Sequence, residues 1–269
     1  MRYALRPFAK AVPITVLALA LALAALPAAV SRQAPAPSTP VNTLTAEETA
    51  QGWKLLFDGR SFAGWRGLGY DAVPDKHWRI DGEAIMKVAT KDVPPGADGT
   101  PAPGGDLMTA EAFRDFELVF EWRISPGGNS GVKYNVSEEL SRGTPPQGHS
   151  ALGFEYQVLD DDLHEDARNG ANRTAAAIYD LFGPVGKSLR PVGAYNAARI
   201  VFLGNHGEHW LNGRKVLAFD LGSPEFKEAL AKSKFKAIAG FADKRAGHIV
   251  LQDHQDAVWY RNIKIRIVR

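Results

Sequence analysis

From Trp53 onward the chain runs in short β-rich segments of alternating apolar and polar residues, separated by Gly, Pro, Asn and Asp. The clearest are FELVFEWRI (116–124), GFEYQVL (153–159), ARIVFL (198–203), RKVLAFDL (214–221), GHIVLQ (247–252) and VWYRNIKIRIV (258–268). Many short strands at such spacing predict an all-β sandwich or barrel. In EHWLNGRKVLAF the pair Asn212-Gly213 lies between two β-rich runs, the signature of a two-residue hairpin turn. Two short helices interrupt the pattern. TAEETAQ opens on Thr45 and Glu48, a capping-box pair, and SPEFKEALAKS has Ser223 as N-cap and Pro224 at the first helical position. No internal repeat is evident, and about 220 residues suit one large domain.

The first 44 residues follow another rule. Arg2, Arg6 and Lys10 precede an uncharged Ala/Leu-rich stretch, 11–30, that ends in small residues around Ala28 and Ala29. Residues 1–33 therefore read as a secretory signal peptide, with an uncleaved membrane anchor as the alternative. Residues 34–44 form a Pro/Ala/Ser linker expected to be extended and flexible, and the folded domain is expected over 45–269. The formal charge of +2 changes meaning once the signal is set aside. Without Arg2, Arg6, Lys10 and Arg32, 28 of the 32 basic residues face 30 acidic ones. A mature chain near −2 offers nucleic acid no electrostatic attraction and has no anchor for a stable membrane partner. The expected location is periplasmic or secreted. The absence of cysteine excludes disulfides, thiol nucleophiles, redox dithiols and thiolate metal sites.

Three polar clusters remain as candidate chemistry. In GFEYQVLD, period two sends Phe154, Tyr156 and Val158 to one face and Glu155 and Gln157 to the other, which predicts a core face and a polar, solvated face. The next segment, LDDDLHEDARNG, carries Asp160, Asp161, Asp162, His164, Glu165 and Asp166; clustered carboxylates with a histidine suit either a divalent metal or acid/base work, and equally a solvated loop. GHIVLQDHQDAVWYRN places Gln252 and His254 on one side of an expected hairpin. EWRISPGGNSGVKYN holds Glu121, Arg123, Asn129, Ser130, Lys133 and Asn135 around a glycine-rich turn; Lys133 is suited to polarising a carbonyl, and Glu121 with Arg123 to a surface ion pair. The long loops 91–106 and 137–150 read as binding-site walls or as unstructured insertions. No glycine pattern matches a nucleotide or flavin site.

The ordered motifs GWKLLFDGRSFAGW, GGDLMT, DFELVFEWRISPGGNSGVKYN, GFEYQVLD, AAIYDL, GAYNAARIVFLGNHGEHWLNG and HIVLQDHQDAVWYRNIKI together resemble the 3-keto-disaccharide hydrolase family, from about Gly52 to Arg266. The resemblance implies a concanavalin A-like jelly-roll β-sandwich of two antiparallel sheets, bacterial export, and action on glycosides whose carbon 3 is a ketone. The ketone acidifies the hydrogen on carbon 2, so a base removes it, the oxygen on carbon 1 leaves, and water adds back. On this reading Glu155, Asp160 and His164 serve in proton transfer or hold one divalent metal ion, and Lys133 and Gln157 hold the keto sugar. Tyr179, Gln252, His254, Arg123 and Asn129 complete the carbohydrate site. No redox cofactor is required.

Two other classes share the residue inventory. A conventional glycosidase on the same sandwich uses carboxylates of one strand, and Glu155 with Asp160 approaches that layout, but period two puts the pair on opposite faces unless a bulge intervenes. A non-catalytic sugar-binding module needs the amide and aromatic platform alone.

Overall fold

The computed structural model describes residues 40–142 and 150–268. The predicted signal peptide, 1–33, and the linker up to residue 39 lie outside the described residues. The chain is anchored earlier than the linker reading expects. Asn42 is buried, exchanges hydrogen bonds with Asn262 in both directions (2.6 and 2.8 Å), and donates to the Glu83 carbonyl. The 40–44 segment is therefore docked, because a side-chain amide there substitutes for the missing ladder partners of two turns.

The strands are β1 (Trp53–Leu55), β2 (Trp65–Gly67), β3 (Trp78–Asp81), β4 (Ala84–Lys87), β5 (Leu107–Phe113), β6 (Phe116–Ile124) and β7 (Asn129–Val136). They continue as β8 (Phe154–Leu159), β9 (Asn196–Leu203), β10 (His206–Leu211), β11 (Arg214–Asp220), β12 (Gly247–Leu251) and β13 (Val258–Ile267). The helices are α1 (Ala46–Ala50), α2 (Glu138–Ser141) and α3 (Pro224–Lys232). Among the described residues, an eight-stranded sheet in the order β11-β10-β9-β6-β13-β4-β3, with β1 also on β13, accompanies a five-stranded sheet in the order β2-β5-β12-β7-β8. All pairings between named strands are antiparallel, as the sequence pattern predicts.

Local signals explain the frame. Asn212 (φ 48°) and Gly213 (φ 82°) are both left-handed, the backbone a tight β10–β11 hairpin demands. Thr45 and Glu48 close the capping box of α1, and the Ser223 hydroxyl accepts the Phe226 N–H of α3. Alternation then builds the core. Phe116, Leu118, Phe120, Trp122 and Ile124 from β6 meet Val132 and Tyr134 from β7 and Phe154, Tyr156 and Val158 from β8. Tyr134, Phe154, Phe202, Phe219 and Phe226 touch mostly edge to face, the arrangement favoured by the ring quadrupole. Trp65, Trp78 and Trp122 are core, whereas Trp53, Trp210 and Trp259 lie half-buried under arginines.

His209, on the β10 arm of the β10–β11 hairpin, is fully enclosed. Burial lowers its pKa to about 4, so the ring is neutral. Its Nδ1 faces the Ala176 carbonyl at 3.0 Å and must carry the proton, leaving Nε2 to accept from the Tyr134 hydroxyl at 2.9 Å. This lock fixes the 176–179 segment, which bridges along β8 through Ile178 and Tyr156 and leads into the site.

The chain 247–262 departs from the expected single hairpin. β12 belongs to the five-stranded sheet and β13 to the eight-stranded one, so 252–257 cross between layers. Among the described residues no helix is long and apolar enough to cross a membrane.

Candidate active site

The polar face of β8 forms the floor of a cleft. As predicted, Phe154, Tyr156 and Val158 point into the core and Glu155 and Gln157 away from it. The polar face is not open to solvent, however: Glu155 is 6% and Gln157 0% exposed. The 234–238 stretch beyond α3 and the 150–153 stretch before β8 also line the cavity, which measures about 380 Å³ and includes Asn129, Lys133, Tyr179, Lys234, Gln252 and His254.

Glu155 stands at its centre. Residues Lys133 and Glu155 pair across β7 and β8, and the Lys133 Nζ lies 3.8 Å from Glu155 Oε2. Gln252 Nε2 donates to the same oxygen at 3.3 Å. Gln157, with its amide nitrogen turned toward Glu155, donates to Oε1 at 2.9 Å and to the Ser130 carbonyl at 3.3 Å. Gly131 makes this crowding possible, since a Cβ there would sit 2.5 Å from Glu155 Oε1. The last glycine of SPGGNSG thus makes room for a side chain. Burial pushes the Glu155 carboxyl above the ordinary glutamate value and nearby Asp106 adds to the rise, against the opposing charges of Lys133, Lys234 and His254.

Behind Lys133 lies a residue that the candidate list lacks. Asp106, 2% exposed, takes the Ala151 N–H on Oδ2 (2.7 Å) and the Asp253 N–H on Oδ1 (2.8 Å), with Lys133 Nζ 3.5 Å from Oδ2. Lys133 also donates to the Ala151 carbonyl at 3.0 Å. The only sequence sign of this role is the place of Asp106 inside the GGDLMT motif, just ahead of β5. Asp253 is itself held by Lys87 (3.0 Å), His77 (3.3 Å) and the Gly105 N–H (3.1 Å), which fastens the loop 91–106 to the segment that presents Gln252 and His254. That loop lines a separate cavity of about 640 Å³ with residues 70–76.

Several predicted residues have other places. Asp160 is not at the centre: Oδ2 accepts the Gly127 N–H at 2.7 Å and Oδ1 those of Asp162 and Leu163 at 3.1 and 3.3 Å. Its carboxylate is spent on a turn, the ordinary use of Asp beside a strand end. His164 Nδ1 accepts the Asp166 N–H, and its ring lies edge-on to His254 with centroids 6.4 Å apart. Glu155, Asp160 and His164 therefore do not converge on one ion, and among the described residues no group of three His, Asp or Glu side chains is placed to hold one. Arg123 is the second correction. It belongs to β6 of the eight-stranded sheet, where its guanidinium lies 4.1 Å from the Trp259 ring centroid and 5.1 Å from that of Tyr195. Glu121 pairs with Arg261 instead (2.7 Å). Asn129, Lys133, Gln157, Tyr179, Gln252 and His254 are all brought to the cleft, whose additional members are Lys234, Phe235 and Ile238. Of the loop 137–150, the segment 143–149 lies outside the described residues; its start forms α2, tied to Arg66 by Glu138 at 2.7 and 2.8 Å.

Residues 52–266 match the family model described as the 3-keto-alpha-glucoside-1,2-lyase-like domain. The chain belongs to this family. A 3-keto-disaccharide hydrolase from Bacteroides thetaiotaomicron is 35% identical over 246 residues, which span 85% of this chain and 82% of the relative. A candidate glycosyl hydrolase of Parabacteroides distasonis superposes with a TM-score of 0.72 at 28% identity, over 86% of this chain and all of the other. A second from the same organism, at 24% identity and a TM-score of 0.59, shares the fold. Membership of the 3-keto-alpha-glucoside-1,2-lyase-like family makes this chain a carbohydrate-active enzyme.

Proposed function

We propose that the chain cleaves 3-keto-glycosides by elimination across carbons 1 and 2 followed by hydration, and that it does so after export. The observation that carries this reading is the inventory of acids in the cleft. Among the described residues lining it, Glu155 is the sole carboxylate, and it is surrounded by donors. Conventional retaining hydrolysis needs a second free carboxyl about 5–5.5 Å away. Asp106 does not fill that place, because both of its oxygens accept backbone amides behind Lys133. One base beside a cation and amides is the equipment for removing a proton next to a ketone and holding the resulting oxyanion.

Glu155 then takes the carbon-2 proton, and its raised pKa brings its basicity toward neutral pH. Lys133, balanced by Asp106, supplies a positive charge that favours the ionised form of Glu155. The Gln252 Oε1 is buried with no partner among the described residues, which suits acceptance of a sugar hydroxyl. Half-buried Tyr179 supplies aromatic surface for the apolar face of a sugar ring. The residues proposed from sequence for a divalent ion do not fit one, and no step of this scheme passes through a metal.

The test compares a plain disaccharide with its 3-keto derivative. Release of the second sugar from the keto compound alone, by at least about 10²-fold in kcat/KM, is the expected result for a mechanism that depends on an acidified carbon 2. Equal cleavage of both would overturn it, and binding of both without turnover would make the chain a lectin.

A further inference from the structure

The elimination reading names a base but leaves the departing oxygen without a proton, and an alkoxide is a poor leaving group. Four cleft side chains carry a proton that could be transferred: Lys133, Tyr179, Lys234 and His254. Lys133 is already shared among the Ala151 carbonyl, Asp106 and Glu155. The Tyr179 hydroxyl accepts from Arg173 at 2.9 Å and lies against Asp166. His254 is solvent-exposed, as Lys234 is, but its ring rests against that of His164.

Lys234 differs from all three. Its Nζ lies 4.3 Å from the Tyr179 ring centroid and 5.1 Å from that of Phe235, and among the described residues it has no hydrogen-bond acceptor or carboxylate partner. Its N–H bonds are unspent although the residue faces the cleft. The position is fixed by a chain of contacts that ends at the base. The Lys234 backbone N–H donates to Asp180 Oδ2 at 2.7 Å, Asp180 Oδ1 holds Arg173 at 2.8 Å, and Arg173 in turn holds the Tyr179 hydroxyl. The Tyr179 backbone N–H donates to the Glu155 carbonyl at 3.0 Å. Asp180 adopts φ 60°, the left-handed region that Asp tolerates better than most residues, and its carboxylate bridges Arg173 and the Lys234 backbone.

Resting on the elimination reading, we propose that Lys234 is the general acid that protonates the departing glycosidic oxygen. The step balances without a redox partner. The Glu155 carboxylate takes the carbon-2 proton, the electron pair of that C–H bond becomes the carbon 1–carbon 2 double bond, and the carbon 1–oxygen bond breaks toward oxygen. The oxygen takes a proton from the Lys234 ammonium, leaving a neutral amine and a protonated Glu155. In hydration the amine accepts a proton from the water that adds at carbon 1, and the Glu155 carboxyl, after exchanging its proton with water in the cleft, protonates carbon 2. Partial desolvation lowers the Lys234 pKa, against the opposing charges of Glu155 and Asp180, which makes the ammonium a better donor than a free lysine.

The test uses two 3-keto-glucosides, one losing 4-nitrophenolate and one losing a sugar or methanol, with the full chain and its Lys234→Met and Lys234→Arg variants. The nitrophenolate needs no proton to depart. Lys234→Met should lower kcat/KM for the sugar or methyl compound by about 10²–10⁴-fold and leave the nitrophenyl compound within a few-fold. Lys234→Arg keeps the charge but holds its proton too tightly to give it up, so it should behave like Met, and it serves if the Met variant fails to fold. Parallel losses on both substrates, rescue by arginine, or no loss at all would overturn the assignment; parallel losses would make Lys234 a positioning residue, and selective loss in His254→Gln would move the acid there. Failure of the unsubstituted chain on both keto compounds would instead remove the elimination reading, and this inference with it.

Discussion

Glu155→Gln is expected to lower kcat on a 3-keto-disaccharide by about 10²–10⁴-fold while the folded state survives. The amide fills the same space over Gly131, and Lys133 keeps Asp106 and the Ala151 carbonyl, so no buried cation is stranded. What disappears is the sole carboxylate among the described residues of the cleft, the group proposed to take the proton from carbon 2. Substrate binding, measured by calorimetry under conditions where turnover is blocked, should remain within a few-fold, which separates loss of a base from loss of a site. The same assignment fixes the sign of the acid limb of the rate profile. Glu155 must be ionised to act, and burial raises its pKa, so kcat/KM should begin to fall, on acidification, at a pH above that of an ordinary glutamate near 4.3. A profile flat down to that value, or full activity in Glu155→Gln, would remove Glu155 from the role of base.

Asp106→Ala is expected to act on stability before activity. The carboxylate is buried, satisfies two backbone amides and faces Lys133, and removing one member of a buried ion pair costs about 3–5 kcal/mol because the other charge is left behind. Chemical denaturation should show a lower midpoint with an unchanged slope. A variant as stable as the parent would mean that Lys133 sheds its proton or reaches water at little cost.

The contrast between these two residues shows what was legible in the sequence. Period two in GFEYQVLD separates core from polar residues because successive side chains must leave opposite faces of a strand, and β8 obeys it residue by residue. The Asn212-Gly213 turn and both helix caps are likewise local, and each is where the chemistry of two or three adjacent residues puts it. Periodicity does not say which sheet a strand joins. Arg123 and Asn129 are close in sequence, yet the chain changes layers between β6 and β7, so Arg123 stacks on Trp259 on the far sheet while Asn129 enters the cleft. The run 247–262 fails as a hairpin for the same reason. Asp106 and Lys234 reach the site only through that topology, from the start of β5 and from beyond α3, and no local pattern marks either. The acidic run after β8 misled in another way: its carboxylate at Asp160 is there to close a turn, which calls for the same residue type as a metal ligand.

The central claim is that the hydrogen on carbon 2 leaves and is replaced. It is tested most directly with a 3-keto-disaccharide deuterated at carbon 2, turned over in ordinary water and sampled early, with the free deuterated 3-keto sugar incubated alongside as a control for spontaneous exchange. Elimination and hydration predict that the released keto sugar has lost its deuterium. Retention of the label to the level of the control, together with cleavage as fast as that of the undeuterated compound, would show that the carbon 1–oxygen bond breaks without proton abstraction, and would contradict the account.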